Sequence, residues 1–118
     1  MTLQKKLKFY QRVLRLQDWN VKVKWVEKGK KAPADLEGGE VSEAWVEWEL
    51  WNRSATIFIR RPRGFYHPTH SVDYLLCHEL IHLIMAPLHN QVNNTQVEIA
   101  VDSIASSMVE VMGLEGRL

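Results

Sequence analysis

The stretch SVDYLLCHELIHLIMAP, Ser71 to Pro87, decides how this chain is read. It opens on a serine suited to cap a helix and closes on a proline suited to end one. Between them the residues are apolar nearly all round a helical wheel, the pattern of a helix buried on every side. Within Leu75–Ile84, three polar, ionisable residues interrupt it: His78, Glu79 and His82. Such groups are seldom buried among leucines unless they are paired or put to use. The segment reads as a central helix that carries chemistry.

Working outward, residues 2–17 repeat Leu3, Leu7, Tyr10 and Leu14 at helical spacing, with Val13 beside them, and predict a first helix. NVKVKWVE (20–27) alternates Val21, Val23 and Trp25 against Lys22 and Lys24, as a strand does. EVSEAWVEWELW (40–51) alternates again. Ala44, Val46, Trp48 and Leu50 face one side; Trp45, Glu47, Glu49 and Trp51 face the other. After an NRS turn, ATIFIR (55–60) is a short strand rich in β-branched residues. KGKKAPADLEGG (28–39) and RPRGFYHPTH (61–70) read as loops. LHNQVNN (88–94) leads to a last helix from about Thr95 to Met112, stopped by Gly113. One helix, three strands and two helices predict an α+β fold: a single domain over residues 1–118, with a three-stranded, mainly antiparallel sheet packed on helices.

A chain of 118 residues can bury about two-thirds of its unfolded surface, so it folds without disulfides. Its one cysteine, Cys77, allows no internal disulfide and fits a reducing compartment. Cys77 reads as a small buried apolar residue. The opening MTLQKKLKFYQ lacks the apolar core of a signal peptide, and no run reaches the length of a membrane span. A cytoplasmic location with no membrane partner is the expectation. The net charge of +1 hides an asymmetry, with ten Lys/Arg against two Asp/Glu in residues 1–31 and five against twelve in the rest. That basic third reads as solvated helix and strand faces, and nucleic acid is not expected as a partner. Most of Trp19, Trp25, Trp45, Trp48 and Trp51 read as core.

Residues four apart share a helix face, so His78 and His82 project side by side, close enough to ligate one metal ion. Glu79 is rotated about 100° away and flanks that ion without ligating it. This is the H-E-x-x-H arrangement, and composition alone would produce it about 0.02 times in such a chain. Imidazole ligands suit Zn²⁺, and also copper, iron and nickel. A pair of core histidines satisfied by backbone carbonyls is the bland alternative, and it leaves the buried Glu79 unexplained. Catalytic zinc needs a third protein ligand. The extended pattern H-E-x-x-H-x-x-G-x-x-H fails, because Met85 stands at its glycine, Leu88 at its last histidine, and His89 misses by one. TQVEIAVDSIA supplies Glu98 on the last helix, with Asp102 four residues on. Glu98 could instead face solvent or close a capping box with Thr95. The need for a third ligand favours the metal.

HELIH followed by a helix bearing E-x-x-x-D resembles the gluzincin clan of zinc metallopeptidases, the thermolysin-like enzymes, and in particular the small single-domain minigluzincins. The resemblance implies a scaffold of a helix, a three-stranded sheet, an active-site helix and a glutamate helix. It implies zinc on His78, His82 and Glu98, with Glu79 as general base and acid and Asp102 orienting His78. It also implies that an extended peptide or protein substrate pairs with an edge strand, here the one around Ala55–Arg60. The larger enzymes carry their oxyanion-stabilising residue on a C-terminal domain that this sequence lacks. E-x-x-x-D-x-ϕ-A, Glu98 to Ala105 with Ile104 at ϕ, is also similar to the repressor-cleaving peptidases of mobile genetic elements.

The expected activity is peptide-bond hydrolysis by a zinc-activated water, with Glu79 moving the proton to the leaving amine. Asp102 would fix the tautomer of His78. A second donor to the oxyanion is expected among Tyr66, His67, His70, Tyr74 and His89, and Tyr74, one turn before His78, is the geometric favourite. The alternatives are a regulatory protease that cleaves a repressor or nucleic-acid-associated protein, and a zinc-binding interaction module without catalysis. The oligomeric state is left open by the sequence.

Overall fold

The computed structural model of the chain describes residues 2–27, 43–61, 70–88 and 94–112. Helix α1 is Leu3–Val13, with the Thr2 hydroxyl accepting from the Lys5 N–H at 3.2 Å as its N-cap. Leu7 and Tyr10 are fully buried on its inner face. The helix is shorter than its periodicity predicts. Leu14 is the C-cap and Arg15 turns left-handed at φ 60°, which takes the chain out of the helix. The buried Gln11 amide then donates to the carbonyls of Leu16 and Trp19, at 3.1 and 3.0 Å, satisfying backbone that the helix no longer pairs.

Three strands follow: β1 Asn20–Val26, β2 Ala44–Glu49 and β3 Ser54–Arg60. Their spatial order is β1-β3-β2. β2 and β3 form an antiparallel hairpin from Ala44↔Ile59 to Glu49↔Ser54. Its four-residue turn ends on Arg53 at φ 50°. Arg53 is held there by an ion pair to Asp18 and by its carbonyl, which accepts from the Asn20 N–H at 2.8 Å. β1 runs parallel to β3, from Asn20↔Ser54 to Val26↔Arg60. The α+β architecture is thus realised with a mixed sheet. One expectation is corrected. The strand around Ala55–Arg60 is the central strand, hydrogen-bonded on both sides, and cannot take a substrate along an edge. The edge beside the long central helix is β2.

Strand alternation sorts the faces as the sequence predicts, except that β2 ends at Glu49, which leaves Leu50 in the turn and 46% exposed instead of on the core face. Val21, Val23, Ala55, Ile57 and Ile59 are buried against the helices, and Ala44, Val46 and Trp48 pack on the same core. On the outer face, Trp45 stacks on Phe58 with ring centroids 5.0 Å apart. Trp19 is buried and Trp25 packs on the core, whereas Trp51, at the hairpin turn, is 83% exposed.

Helix α2 is Val72–Met85, capped by the Ser71 hydroxyl, which accepts from the Tyr74 N–H at 3.1 Å. It runs on into a 3₁₀ turn, Ala86–Leu88. Leu75, Leu76, Cys77, Leu80, Ile81 and Leu83 are all buried, and α2 packs on α1, β2, β3 and the last helix, as its apolar circumference requires. Its first turn holds a buried carboxylate. Asp73 accepts from the Tyr10 hydroxyl at 2.8 Å and from the Lys6 ammonium at 3.2 Å, tying α1 to the start of α2. Helix α3, Asn94–Met112, lays Val97, Val101, Ala105 and Val109 on α2, one residue per turn. Among the described elements α3 packs on α2 alone. No helix among the described residues is long and apolar enough to cross a membrane.

Candidate metal centre

His78 and His82 lie one turn apart on the face of α2 that α3 covers. Their Nε2 atoms are 3.3 Å apart. From α3, Glu98 brings one carboxylate oxygen to 2.8 Å from Nε2 of His82 and the other to 3.4 Å from Nε2 of His78. These three side chains form a group whose ligand atoms all lie within 4.8 Å of one another. Zinc holds such donors at about 2.0–2.1 Å in a tetrahedron, which spaces neighbouring donors about 3.3 Å apart. The two imidazole nitrogens, 3.3 Å apart, have that spacing, and each Glu98 oxygen faces one of them. Two neutral nitrogens and a carboxylate are also a donor set of catalytic zinc, with a fourth position for water. The residues fit the ion.

Thr95 lies inside α3, which begins at Asn94, and the Glu98 carboxylate meets the two histidines across the helix interface. The capping-box alternative has no counterpart in this arrangement. Hydrogen bonds to His78 and His82 hold the Glu98 carboxyl well below the usual carboxylate range. For His78, burial opposes the charged form, but the hydrogen bond to Glu98 and the charges of Glu79, Glu98 and Asp102 outweigh it and raise the imidazole pKa.

Glu79 projects beside the pair, its carboxylate 4.0 Å from Nε2 of His78. It is only 5% exposed, and burial pushes its pKa up to about 7 against the lowering pull of the two histidines. A carboxyl balanced between its charged and neutral forms near neutrality can take a proton and give it back.

Asp102 sits one turn beyond Glu98, with Oδ1 3.0 Å from Nδ1 of His78. Its side chain is 54% exposed, so by burial it matches a surface aspartate of the last helix, and only the contact with His78 favours an orienting role. Tyr74 is placed differently from a free oxyanion donor. Its hydroxyl donates to the same Oδ1 of Asp102 at 2.8 Å, on the Nδ1 side of His78. Burial and the Asp102 carboxylate push the Tyr74 pKa up to about 12, so the phenol keeps its proton.

The other oxyanion candidates divide. Tyr66, His67 and His89 lie outside the described residues. His70 stacks on the Tyr74 ring, with centroids 4.4 Å apart, and its Nδ1 lies 2.7 Å from Glu43, just ahead of β2. His70, Tyr74, His78 and His82 thus form one column of rings along α2, legible in advance as four residues spaced by four. The Glu43 contact, made from the residue ahead of β2 to the one ahead of the α2 cap, has no local sequence signal. Cys77 is fully buried with its pKa pushed up to about 12 by burial, and points into the core as expected. Comparison of the chain with family models, with curated proteins and with solved structures gives no match.

Proposed function

We propose that the protein is a small zinc-dependent peptidase of the gluzincin type, with His78, His82 and Glu98 as ligands. The observation that carries the reading is the convergence of two imidazoles and a carboxylate from two helices on one point, with a second, buried carboxylate beside it. A structural zinc site closes all four positions with protein ligands and has no use for Glu79.

A zinc ion held by His78, His82 and Glu98 would supply Lewis acidity toward a scissile carbonyl and make an attacking water more acidic. Glu79 takes the proton of the attacking water and passes it to the departing amine. Asp102 holds His78 in the tautomer that keeps Nε2 free for the metal.

The substrate would be an extended peptide lying along β2. The Arg60 N–H donates to the Glu43 carbonyl at 2.9 Å, which marks residues 43 and 60 as a hydrogen-bonded pair. In an antiparallel ladder such pairs alternate, so Ala44 and Val46 turn their N–H and C=O groups away from β3, toward the outer edge. Pairing of this kind supplies affinity through the main chain. A lone, buried cysteine suits the cytoplasm, where we place the protein.

The test is metal analysis together with Glu79→Ala. Protein purified without added metal should hold about one zinc per chain. Glu79→Ala should keep that zinc and lose cleavage of an unfolded protein substrate such as casein. Cleavage that survives the substitution refutes the mechanism. Zinc bound by a parent that cleaves nothing favours the non-catalytic module.

A further inference from the structure

We infer that Tyr74 is a positioning residue for the metal ligand His78, acting through Asp102. The inference rests on the metal reading above for its zinc arm only.

Asp102 is a poor orienter by itself. Its side chain is 54% exposed on the outer part of α3, where water competes for its oxygens and several rotamers are open to it. Tyr74 removes that freedom. It is buried, and its ring is stacked against His70, so its hydroxyl has a fixed place. From there it donates to Oδ1 of Asp102 at 2.8 Å, the oxygen that lies 3.0 Å from Nδ1 of His78.

One carboxylate oxygen thus accepts two hydrogen bonds, one from a buried phenol and one from the imidazole. With Nδ1–H committed to Asp102, the lone pair of His78 is on Nε2, facing His82 and Glu98. Tyr74 lies 3.4 Å from Nδ1 itself, longer and worse placed than Asp102, so its influence on the ring runs through the carboxylate. This placement also separates Tyr74 from the oxyanion role. Its one proton is spent on the Nδ1 side of His78, across the ring from the ligand atoms.

The experiment is a double-mutant cycle in zinc affinity, read by competition with a chromogenic chelator, on the parent, Tyr74→Phe, Asp102→Ala and the double variant. Tyr74→Phe should weaken zinc binding roughly three- to tenfold, less than the 10–100-fold typical of direct partners of metal ligands. In the Asp102→Ala background it should cost nothing more. An equal loss in both backgrounds, or no loss in the parent, overturns the inference. A second readout uses the metal-free protein and proton–nitrogen NMR. The parent should show a slowly exchanging Tyr74 hydroxyl proton and a protonated His78 Nδ1, and Asp102→Ala should abolish the protection of both. An unprotected hydroxyl in the parent overturns the inference even if Tyr74→Phe does not fold. A parent that binds no zinc refutes the proposed function, while the NMR readout still decides the place of Tyr74.

Discussion

Glu98→Ala separates the metal site from its alternatives most sharply. The site offers three protein donors, and Glu98 is the only one on α3 and the only one with a charge to neutralise the ion. Binding free energies of about 10–16 kcal/mol for four-ligand structural zinc correspond to roughly 3 kcal/mol per ligand. Losing one ligand should therefore weaken zinc by about 100-fold or more, at 1.4 kcal/mol per factor of ten. The metal-free fold should scarcely notice. The Glu98 side chain is 52% exposed, where ion pairs contribute about 0–1 kcal/mol, and alanine is the better helix former. Chelator competition gives the affinity, and thermal unfolding with and without zinc gives the stability. The expected result is a metal-free midpoint close to the parent's and a zinc-induced rise that has all but vanished. Zinc held as tightly as in the parent would refute the assignment and turn attention to His70 and His89.

Two further outcomes follow from the geometry. Zinc takes neutral imidazole, and the carboxylates around His78 raise its pKa, so the proton must be displaced from near neutrality downward. Zinc affinity should fall about tenfold per pH unit for that proton once pH drops below the raised value, and a dissociation constant that stays flat from pH 7 to 5.5 would contradict it. Tyr10→Phe removes one of two donors to the buried Asp73 and should cost about 2 kcal/mol in urea unfolding of the metal-free protein, with an unchanged slope; a change under 0.5 kcal/mol, the usual bound on surface effects, would show that Lys6 suffices.

What could be read in advance follows the range of the physics. His78 and His82 were legible because helical periodicity is local: four residues on an apolar helix fix a shared face whatever surrounds it. The sheet faces were legible for the same reason, since alternation assigns Val23 and Ile57 to the core residue by residue. Strand order was not. Alternation says which face a side chain takes but not which strand lies beside it, so the placement of β3 between β1 and β2 had no local signature. Glu98 could be named only through the chemical need for a third ligand. Asp73 was invisible, because a carboxylate in a helix's first turn ordinarily faces solvent and favours the helix dipole there, and only the fold brings Tyr10 and Lys6 onto it.

That α3 docks on α2 alone among the described elements bears on how the protein would behave if zinc binds at the proposed site. The helix that carries Glu98 and Asp102 is fastened along one seam of small apolar side chains, Val97, Val101, Ala105 and Val109. An ion shared between the two helices would act as a rivet through that seam. Its binding energy and the closure of the seam would then be one thermodynamic quantity, so zinc binding would stabilise α3 far more than β1 or β3. Stripped of its ion, the chain would keep its sheet and its α1–α2 lock while α3 opened first, as the least stable cooperative unit of the fold.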